Sequence, residues 1–276
     1  MLRYDRGGEG PAVVLVHGLG GSRRSWDPIA PGLRARRTVI ALDLPAHGET
    51  PGEPDSGGFA GLARSLEAFL RTEGLERAAL VGASLGARLV LEMARRGLGG
   101  PIVALDPGGF WRGRERTWFR TTLTASLVAL RGLGSLRGPL ARNAATRSLL
   151  LAQLSAHPAR VPADLAAREI DGLARTPTVG PLIRDLARGP AQEGPAAAPS
   201  GPVVIGWGRQ DRLCRPAQAQ RACAAFPSAR LHWFEDCGHF PAWDAPEEAL
   251  DVVLQATEPD AAARPERAAR RDVPPR

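Results

Sequence analysis

One serine stands out because of the residues around it. Ser84 lies at the centre of Gly82–Gly86 (GASLG), between the apolar run Ala78–Val81 and a segment with helical spacing of its apolar residues. A Gly-x-Ser-x-Gly turn between a buried strand and a helix strains the serine backbone and projects its oxygen from the sheet edge. Glycine is needed on both sides because strand and helix pass too close there for side chains. The spacing predicts that Ser84 is a nucleophile, with the Leu85 N–H aimed at the negative charge its attack would create.

A serine hydroxyl is a poor nucleophile until a base removes its proton, so we compared the five histidines of the chain. His239 follows the last predicted strand, in a loop just before a helix, which is where an active-site base is expected. The others lie in glycine-rich turns, in a predicted helical region or within a strand (His17, His47, His157 and His232). His239 is therefore the predicted base.

The base in turn needs a carboxylate that holds it in the correct tautomer. Asp211 follows the predicted strand Val203–Trp207, one strand before the histidine, and with it the order Ser, Asp, His runs along the chain. Asp106 also ends a predicted strand and is the alternative acid. Asp43 precedes the serine and is interpreted as a turn residue. The sequence favours Asp211 over Asp106.

The loop His17–Gly21 (HGLGG) directly follows the apolar strand Ala12–Val16. One interpretation is a phosphate-binding turn, but neither the Gly-x-Gly-x-x-Gly spacing nor a following Lys-Ser/Thr is present. The other is a loop whose Leu19 N–H is the second donor to an oxyanion at Ser84. The second interpretation fits better, so the backbone N–H groups of Leu19 and Leu85 are the predicted oxyanion hole.

Apolar strands and amphipathic helices alternate through residues 1–106 and again through 200–257, whereas 107–199 contains no convincing strand. This alternation predicts an α/β fold with a doubly wound, mostly parallel sheet. The interruption predicts a helical lid over the carboxyl ends of the strands, where ligands bind in such sheets. Residues 258–276, rich in Pro, Ala and Arg, are predicted to be disordered. The helices predicted within the lid are Arg114–Leu130, Pro139–Ser155, Ala163–Leu173 and Thr178–Ala187.

The formal net charge of +7 is concentrated in one part of the chain. Residues 107–199 hold 13 arginines against six acidic residues, and the chain contains no lysine, which is typical of a compositional bias. Because no binding motif or interleaved aromatic pattern accompanies the charge, we do not expect nucleic-acid binding. A positive lid would steer anionic substrates to the site, although arginines scattered over solvated helix faces explain the same surplus equally well.

The sequence also bears on compartment and partners. Met1–Arg6 is polar, and the apolar stretch Leu123–Leu130 is far too short to span a bilayer, so we expect no signal peptide and no membrane partner. Cys214, Cys223 and Cys237 match no zinc or disulfide spacing, which favours a reducing cytoplasm. Nothing in the sequence indicates the oligomeric state.

Five of these motifs, in this order, resemble the α/β-hydrolase superfamily, in its capped single-domain group with esterases, lactonases and C–C hydrolases. The resemblance covers residues 4–107 and 202–256, whereas the lid has no motif that matches. The similar elements are the oxyanion loop His17–Gly21, the turn Asp43–Thr50, the nucleophile elbow Gly82–Gly86, the acid turn Gly208–Asp211 and the base in Gly238–His239.

The resemblance implies a Ser-His-Asp triad, a small-molecule acyl substrate, and no cofactor or metal. The chain departs from the family at Ala46, where glycine is usual, and in starting without the usual first edge strand. A serine nucleophile excludes the branches that attack with aspartate, the haloalkane dehalogenases and epoxide hydrolases.

We therefore expect a serine hydrolase that cleaves an ester, lactone or related acyl bond through an acyl-enzyme. The alternatives are a C–C bond or thioester hydrolase, or a ligand-binding protein without turnover. Trp111, Trp118 and Phe119, at the start of the lid, are candidates for an apolar pocket lining, and core packing explains them equally well.

Overall fold

The computed structural model describes residues 1–195 and 198–258. Its strands form one sheet in the order β1-β3-β2-β4-β5-β6-β7, in which β1 runs antiparallel to β3 and the other neighbours are parallel. The α/β class and the mostly parallel sheet predicted from the alternation are confirmed. The strands are β1 (Tyr4–Gly7), β2 (Ala12–Val16), β3 (Thr38–Leu42), β4 (Ala79–Ala83), β5 (Ile102–Leu105), β6 (Val203–Gly208) and β7 (Arg230–Phe234).

Helices cover both faces of this sheet, as a doubly wound arrangement requires. Side chains of α1 and α11 share one apolar cluster with Val13 and Leu15, and those of α2, α3 and α9 share another with Val14 and Val16. The helices are α1 (Ala30–Arg34), α2 (Phe59–Thr72), α3 (Leu85–Arg95), α4 (Glu115–Gly132), α5 (Arg137–Arg142), α6 (Ala144–Leu150), α7 (Ala163–Arg175), α8 (Val179–Arg188), α9 (Ala217–Ala225), α10 (Pro241–Asp244) and α11 (Pro246–Ala256), with short 3-10 helices at Arg23–Trp26 and Gly134–Leu136.

The central strands are continuous apolar runs because they are covered on both sides. Every residue of β4, β5 and β6 is buried, and alternate side chains point to opposite clusters. The parallel register pairs Val16 with Gly82, Ala83 with Leu105, and Leu105 with Gly206. The carboxyl ends of these strands are therefore level, and the loops that follow them open at one edge.

Residues 107–199 are here called the helical segment. Its described residues, 107–195 and 198–199, contain no strand. Its helices pack on one another (α4 against α7 and α8, α5 against α7) and reach the rest of the molecule through α2 and the 3-10 helix Arg23–Trp26. The single predicted helix Pro139–Ser155 is wrong. Asn143 is extended between α5 and α6, and its side chain accepts hydrogen bonds from the N–H groups of Ala145 (3.0 Å) and Thr146 (3.2 Å), which starts a new helix.

At the start of the chain, β1 forms one edge of the sheet, and no further strand lies beyond it at that edge among the described residues. Of the predicted disordered region 258–276, all but Glu258 lies outside the described residues. None of the helices in the described ranges has both the length and the apolar character needed to span a bilayer.

Candidate active site

The backbone places Ser84 at the apex of a strained turn between β4 and α3. Its φ of 54° and ψ of −111° are rare for a residue with a side chain, and its N–H donates to the Leu105 carbonyl of the neighbouring strand (2.9 Å). The glycines on either side allow this turn. A Cβ on Gly82 would lie 2.2 Å from the Gly86 oxygen, and a Cβ on Gly86 would lie 2.1 Å from the Val16 oxygen.

The structure brings three side chains from distant parts of the chain into one hydrogen-bonded row. His239 Nε2 lies 2.8 Å from Ser84 Oγ, and His239 Nδ1 lies 2.7 Å from Asp211 Oδ2. An ionised carboxylate accepts only, so Nδ1 carries the proton and Nε2 is free to accept the serine proton. His239 and Asp211 are both buried, which shields the row from water.

Local hydrogen bonds hold the acid and the base in place. Asp211 Oδ1 accepts from the N–H groups of Leu213 (2.7 Å) and Cys214 (2.9 Å), which leaves Oδ2 for the histidine. The His239 N–H donates to the Leu154 carbonyl of the helical segment (2.9 Å). The turns that carry the two residues touch, since a Cβ on Gly208 would lie 1.9 Å from the Gly238 oxygen.

Asp106, the alternative acid, lies in the same buried region, but the structure shows no hydrogen bond from it to His239. Its Oδ1 accepts from the Gly208 N–H (2.9 Å), and its Oδ2 has no hydrogen-bond partner within the described part of the chain. Burial, together with the nearby Asp211 carboxylate, raises the pKa of Asp106 well above its ordinary value. Asp106 therefore lies beside the carboxylate that contacts the histidine, without contacting the histidine itself.

Two backbone N–H groups face the same space as Ser84 Oγ. Leu19 and Leu85 both line the pocket around the serine, and neither N–H donates a hydrogen bond to an acceptor in residues 1–195 or 198–258. Gly18 is tightly packed on the serine, since its Cβ would lie 3.3 Å from Ser84 Cβ. The two N–H groups are available to an oxyanion that forms beside Ser84.

His17 orients the loop that carries one of these donors. Its Nε2 accepts from the Leu44 N–H (3.0 Å), so Nδ1 carries the proton and donates to the Gly18 carbonyl (2.7 Å). Burial and the neighbouring His47 lower the pKa of His17 to about 3, so it stays neutral. Because a peptide unit is planar and trans, holding the Gly18 carbonyl points the Leu19 N–H to the opposite side.

The remaining candidates lie away from this row. Asp43 accepts from the N–H groups of Arg23 (2.7 Å) and Glu49 (2.9 Å) and pairs with the Arg23 guanidinium, as expected of a turn residue. His157 lies 2.7 Å from Asp236, and His232 lies 2.8 Å from Glu248. Neither histidine is among the residues that line the pocket.

The pocket above Ser84 is mostly apolar and is built from both parts of the chain. The helical segment contributes residues such as Phe119, Leu123 and Ile170, and the core contributes Leu213, Ser84 and His239. Trp111 and Phe119 stack in its wall with ring centroids 4.7 Å apart. Trp118 is outside it, 40% exposed, and its indole N–H donates to the Arg212 carbonyl (2.9 Å). Two of the three predicted aromatic residues therefore line the pocket.

None of the arginines in the described part of the helical segment lines the pocket. Several of them bind carbonyl oxygens or acidic side chains instead. Arg147 donates to carbonyls at the end of α5 and after α6, Arg137 pairs with Asp171, and Arg168 pairs with Asp27. The positive charge of the segment is therefore not directed into the pocket.

Phe240, Trp243 and Glu169 are pocket residues that were not singled out from the sequence. Phe240 and Trp243 stack at 4.1 Å, and Phe240 contacts the His239 ring edge to face at 4.8 Å. Phe240 and Trp243 follow His239 closely in the sequence, and this position was the signal that could have identified them. Glu169 also lines the pocket, and its signal was its spacing with Leu165 and Leu173, which puts an acid on the apolar face of α7.

Asp211, Cys214 and His239 are the one group of potential metal ligands in the described ranges, with ligand atoms within 4.8 Å of one another. The set does not suit a metal ion. His239 Nδ1 and Asp211 Oδ2 already bond to each other. Burial raises the pKa of the Cys214 thiol well above its ordinary value, whereas a thiol must lose its proton to bind a metal.

Known proteins are similar to this chain in sequence and in fold. The model of the Alpha/beta hydrolase family matches residues 13–252. An uncharacterized protein of Mycobacterium tuberculosis is 27% identical, covering 91% of this chain and 77% of that protein. A 2-hydroxy-6-oxononadienedioate/2-hydroxy-6-oxononatrienedioate hydrolase of Paraburkholderia xenovorans is 28% identical, covering 92% and 89%. A thermophilic esterase of Thermogutta terrifontis has a similar structure, with a TM-score of 0.72 at 19% identity over 93% of this chain and 94% of that one.

Proposed function

The chain belongs to the alpha/beta hydrolase family, and on this premise we propose that it is a serine hydrolase that cleaves an ester, lactone or related acyl bond of a small molecule. The observation that carries the proposal is the row Ser84–His239–Asp211, with contacts of 2.8 and 2.7 Å beside two unpartnered N–H groups. A nucleophile, its base, an orienting acid and an oxyanion site are the parts that acyl transfer needs.

In the first half of the reaction, His239 Nε2 takes the proton of Ser84 Oγ as the oxygen attacks the acyl carbon. The carbonyl oxygen becomes an oxyanion, to which the N–H groups of Leu19 and Leu85 donate. Asp211 stabilises the imidazolium that forms, without taking its proton. His239 then gives the proton to the leaving alcohol, and the acyl group remains on Ser84.

In the second half, water attacks the acyl-enzyme. His239 takes a proton from the water, the oxyanion forms again at the same two N–H groups, and collapse of this intermediate breaks the bond to Ser84 Oγ. The proton held by His239 returns to the serine, and the carboxylic acid leaves. Each turnover consumes one water molecule and restores the free hydroxyl.

We propose that the helical segment is a lid over a core formed by residues 1–106 and 200–257. Its support is that α4, α7 and α8 provide much of the pocket wall opposite Ser84. Such an enclosure keeps bulk water from the acyl-enzyme and strengthens the electrostatic contacts of the site. A reducing compartment, the cytoplasm, fits the three free cysteines.

The test is labelling with a fluorophosphonate probe, followed by hydrolysis of short p-nitrophenyl esters. We expect the protein to be labelled at Ser84 and to turn over the esters, and S84A to lose labelling and at least about 10³-fold in kcat. Unchanged esterase activity of S84A would refute the assignment of the nucleophile. Labelling without turnover would favour a ligand-binding protein.

C–C bond hydrolysis is the second candidate, favoured by the Paraburkholderia xenovorans relative. The substrate in that relative's name carries two carboxylates, whereas in the described part of this chain the arginines of the helical segment bond away from the pocket. Ester hydrolysis is therefore the better supported chemistry. The predicted preference for anionic substrates stays a prediction.

A further inference from the structure

Besides Ser84, His239, Cys214 and the indoles of Trp111 and Trp243, the polar side chains of the pocket wall are Arg88, Ser126, Gln153 and Glu169. Arg88 donates to the Pro190 carbonyl (2.8 Å), and its one free nitrogen, Nη1, is buried. Gln153 donates its amide N–H to Thr122 Oγ1 (2.7 Å), and its remaining polar atoms, like the Ser126 hydroxyl, are uncharged. Glu169 is therefore the acidic side chain of the wall.

Glu169 differs because only one of its oxygens is used. When Glu169 is ionised it can only accept, so its Oε1 accepts from Ser25 Oγ (2.5 Å), which itself accepts from the Ser22 N–H (3.1 Å). Oε2 accepts no hydrogen bond from the described residues and lies near Gly21, whose Cβ would be 3.3 Å from it. Part of the Glu169 side chain is exposed, and the residue lines the pocket.

The charges around Glu169 do not neutralise it. Arg168, the adjacent cation, forms its ion pair with Asp27 (2.8 Å). No cation in the described ranges lies within ion-pair distance of Glu169 itself. Burial raises the pKa of Glu169 from 4.5 to about 7, partly offset by the Ser25 hydrogen bond. Above neutral pH the pocket therefore contains one carboxylate with a free oxygen.

We propose that Glu169 is a specificity-determining residue, whose Oε2 binds a hydrogen-bond donor of the substrate, an ammonium or hydroxyl group, and which selects against substrates with a carboxylate. A charged acceptor in an apolar pocket forms a strong hydrogen bond with a donor, and a second carboxylate there would be repelled and left unpaired. The inference rests on the proposed function, because the ligand it describes is the substrate of that site.

The experiment compares hexylammonium, hexanol and hexanoate, which have the same chain length, as competitive inhibitors of p-nitrophenyl butyrate hydrolysis at about pH 8, above the Glu169 pKa. For the wild type we expect hexylammonium to bind at least about tenfold more tightly than hexanoate, with hexanol between them. In E169Q, which keeps the acceptor for Ser25, the two charged ligands should differ by less than about threefold.

D164N is the matched control. Asp164 lies on the same helix, is exposed and pairs with Arg142, so its substitution changes the net charge equally without reaching the pocket. We expect D164N to keep the wild-type ratio within about twofold, because screening weakens a distant surface charge. A loss of selectivity in D164N as large as in E169Q would mean a general charge effect and overturn the proposal.

The same ligands are also titrated calorimetrically into S84A, so the outcome does not depend on turnover. If the wild type does not hydrolyse the esters but S84A still binds hexylammonium more tightly than hexanoate, the proposed function is wrong and the role of Glu169 stands. Hydrolysis that succeeds while the wild type binds hexanoate as tightly as hexylammonium would overturn the role of Glu169 alone. The comparison of hexylammonium with hexanoate on the wild type tests the role of Glu169 even if E169Q does not fold.

Discussion

At the scale of single residues, two carboxyl groups at neighbouring strand ends have different hydrogen-bond partners. Asp211 accepts three hydrogen bonds, two from backbone N–H groups and one from His239. Asp106 accepts one, from Gly208, and burial beside Asp211 raises its pKa. Strand position alone does not distinguish the two acids, whereas their hydrogen-bond partners do.

Substitution to asparagine tests the two roles separately. D106N keeps the acceptor for the Gly208 N–H and removes no contact with His239, so we expect kcat for a p-nitrophenyl ester within about fivefold of the wild type. D211N removes the charge that stabilises the imidazolium and should lower kcat by about 10⁴-fold. Equal losses in the two variants, measured in the same assay on folded protein, would contradict this division.

The site residues with a local sequence signal are the ones that the structure brings together. Ser84 has its glycines, and Asp211 and His239 each follow a strand in a glycine-containing turn. Glu169 could not be assigned a role in the same way, because an acid on a mostly apolar helix face is also found in structural ion pairs. Which side of α4 faces the pocket depends on tertiary packing, so Trp118 could not be separated from Phe119.

At the scale of elements, α7 packs directly on the loop that carries Leu19. A Cβ on Gly172 would lie 2.3 Å from the Gly20 carbonyl oxygen, and a Cβ on Gly20 would lie 2.6 Å from Leu173 Cα. The helix and the loop therefore approach to backbone contact. The position of the Leu19 N–H depends on this helix as well as on His17.

We expect G172A to impair catalysis through that contact. The added methyl group forces α7 and the loop apart, which displaces the Leu19 N–H and should lower kcat by about 10-fold or more. G180A is the control, because Gly180 lies in α8 and its Cβ would meet nothing closer than 3.7 Å. G180A should keep full activity. If ester assays show the two variants equally active, the loop does not depend on α7.

Strands and helices of the core were predictable because burial on both faces imposes long apolar runs and regular alternation. The helical segment was predicted less well. Its apolar spacing continues from Pro139 to Ser155, but Asn143 ends α5 and caps α6 with its side chain. Asparagine at a possible cap was the signal for two helices, and periodicity alone does not reveal such a break.

At the scale of the whole molecule, Glu169 links the pocket to stability. Its pKa rises from 4.5 unfolded to about 7 folded. Between these values the folded protein holds a proton that the unfolded chain has released, so this group's contribution to stability falls as pH rises through that window. Below about pH 4.5 the cost disappears, because both states are protonated.

E169Q should therefore be more stable than the wild type at about pH 8 and close to it at about pH 4.5. We expect a gain of up to about 2 kcal/mol at the higher pH, less than the full shift implies because the carboxyl is partly exposed. Thermal unfolding at the two pH values measures it, with D164N as the reference. A pH-independent difference would show that ionisation is not the cause.

The hydrogen bond from the His239 N–H to the Leu154 carbonyl has a practical consequence for engineering. His239, the proposed base, is bonded through its main chain to the turn that follows α6, and α7 packs on the loop that carries Leu19. Swapping this region for that of a relative, in order to transplant substrate preference, would disturb the catalytic apparatus as well. A working chimera would have to carry over the Leu154 acceptor and the glycine contact between residues 20 and 172 together with the new pocket wall.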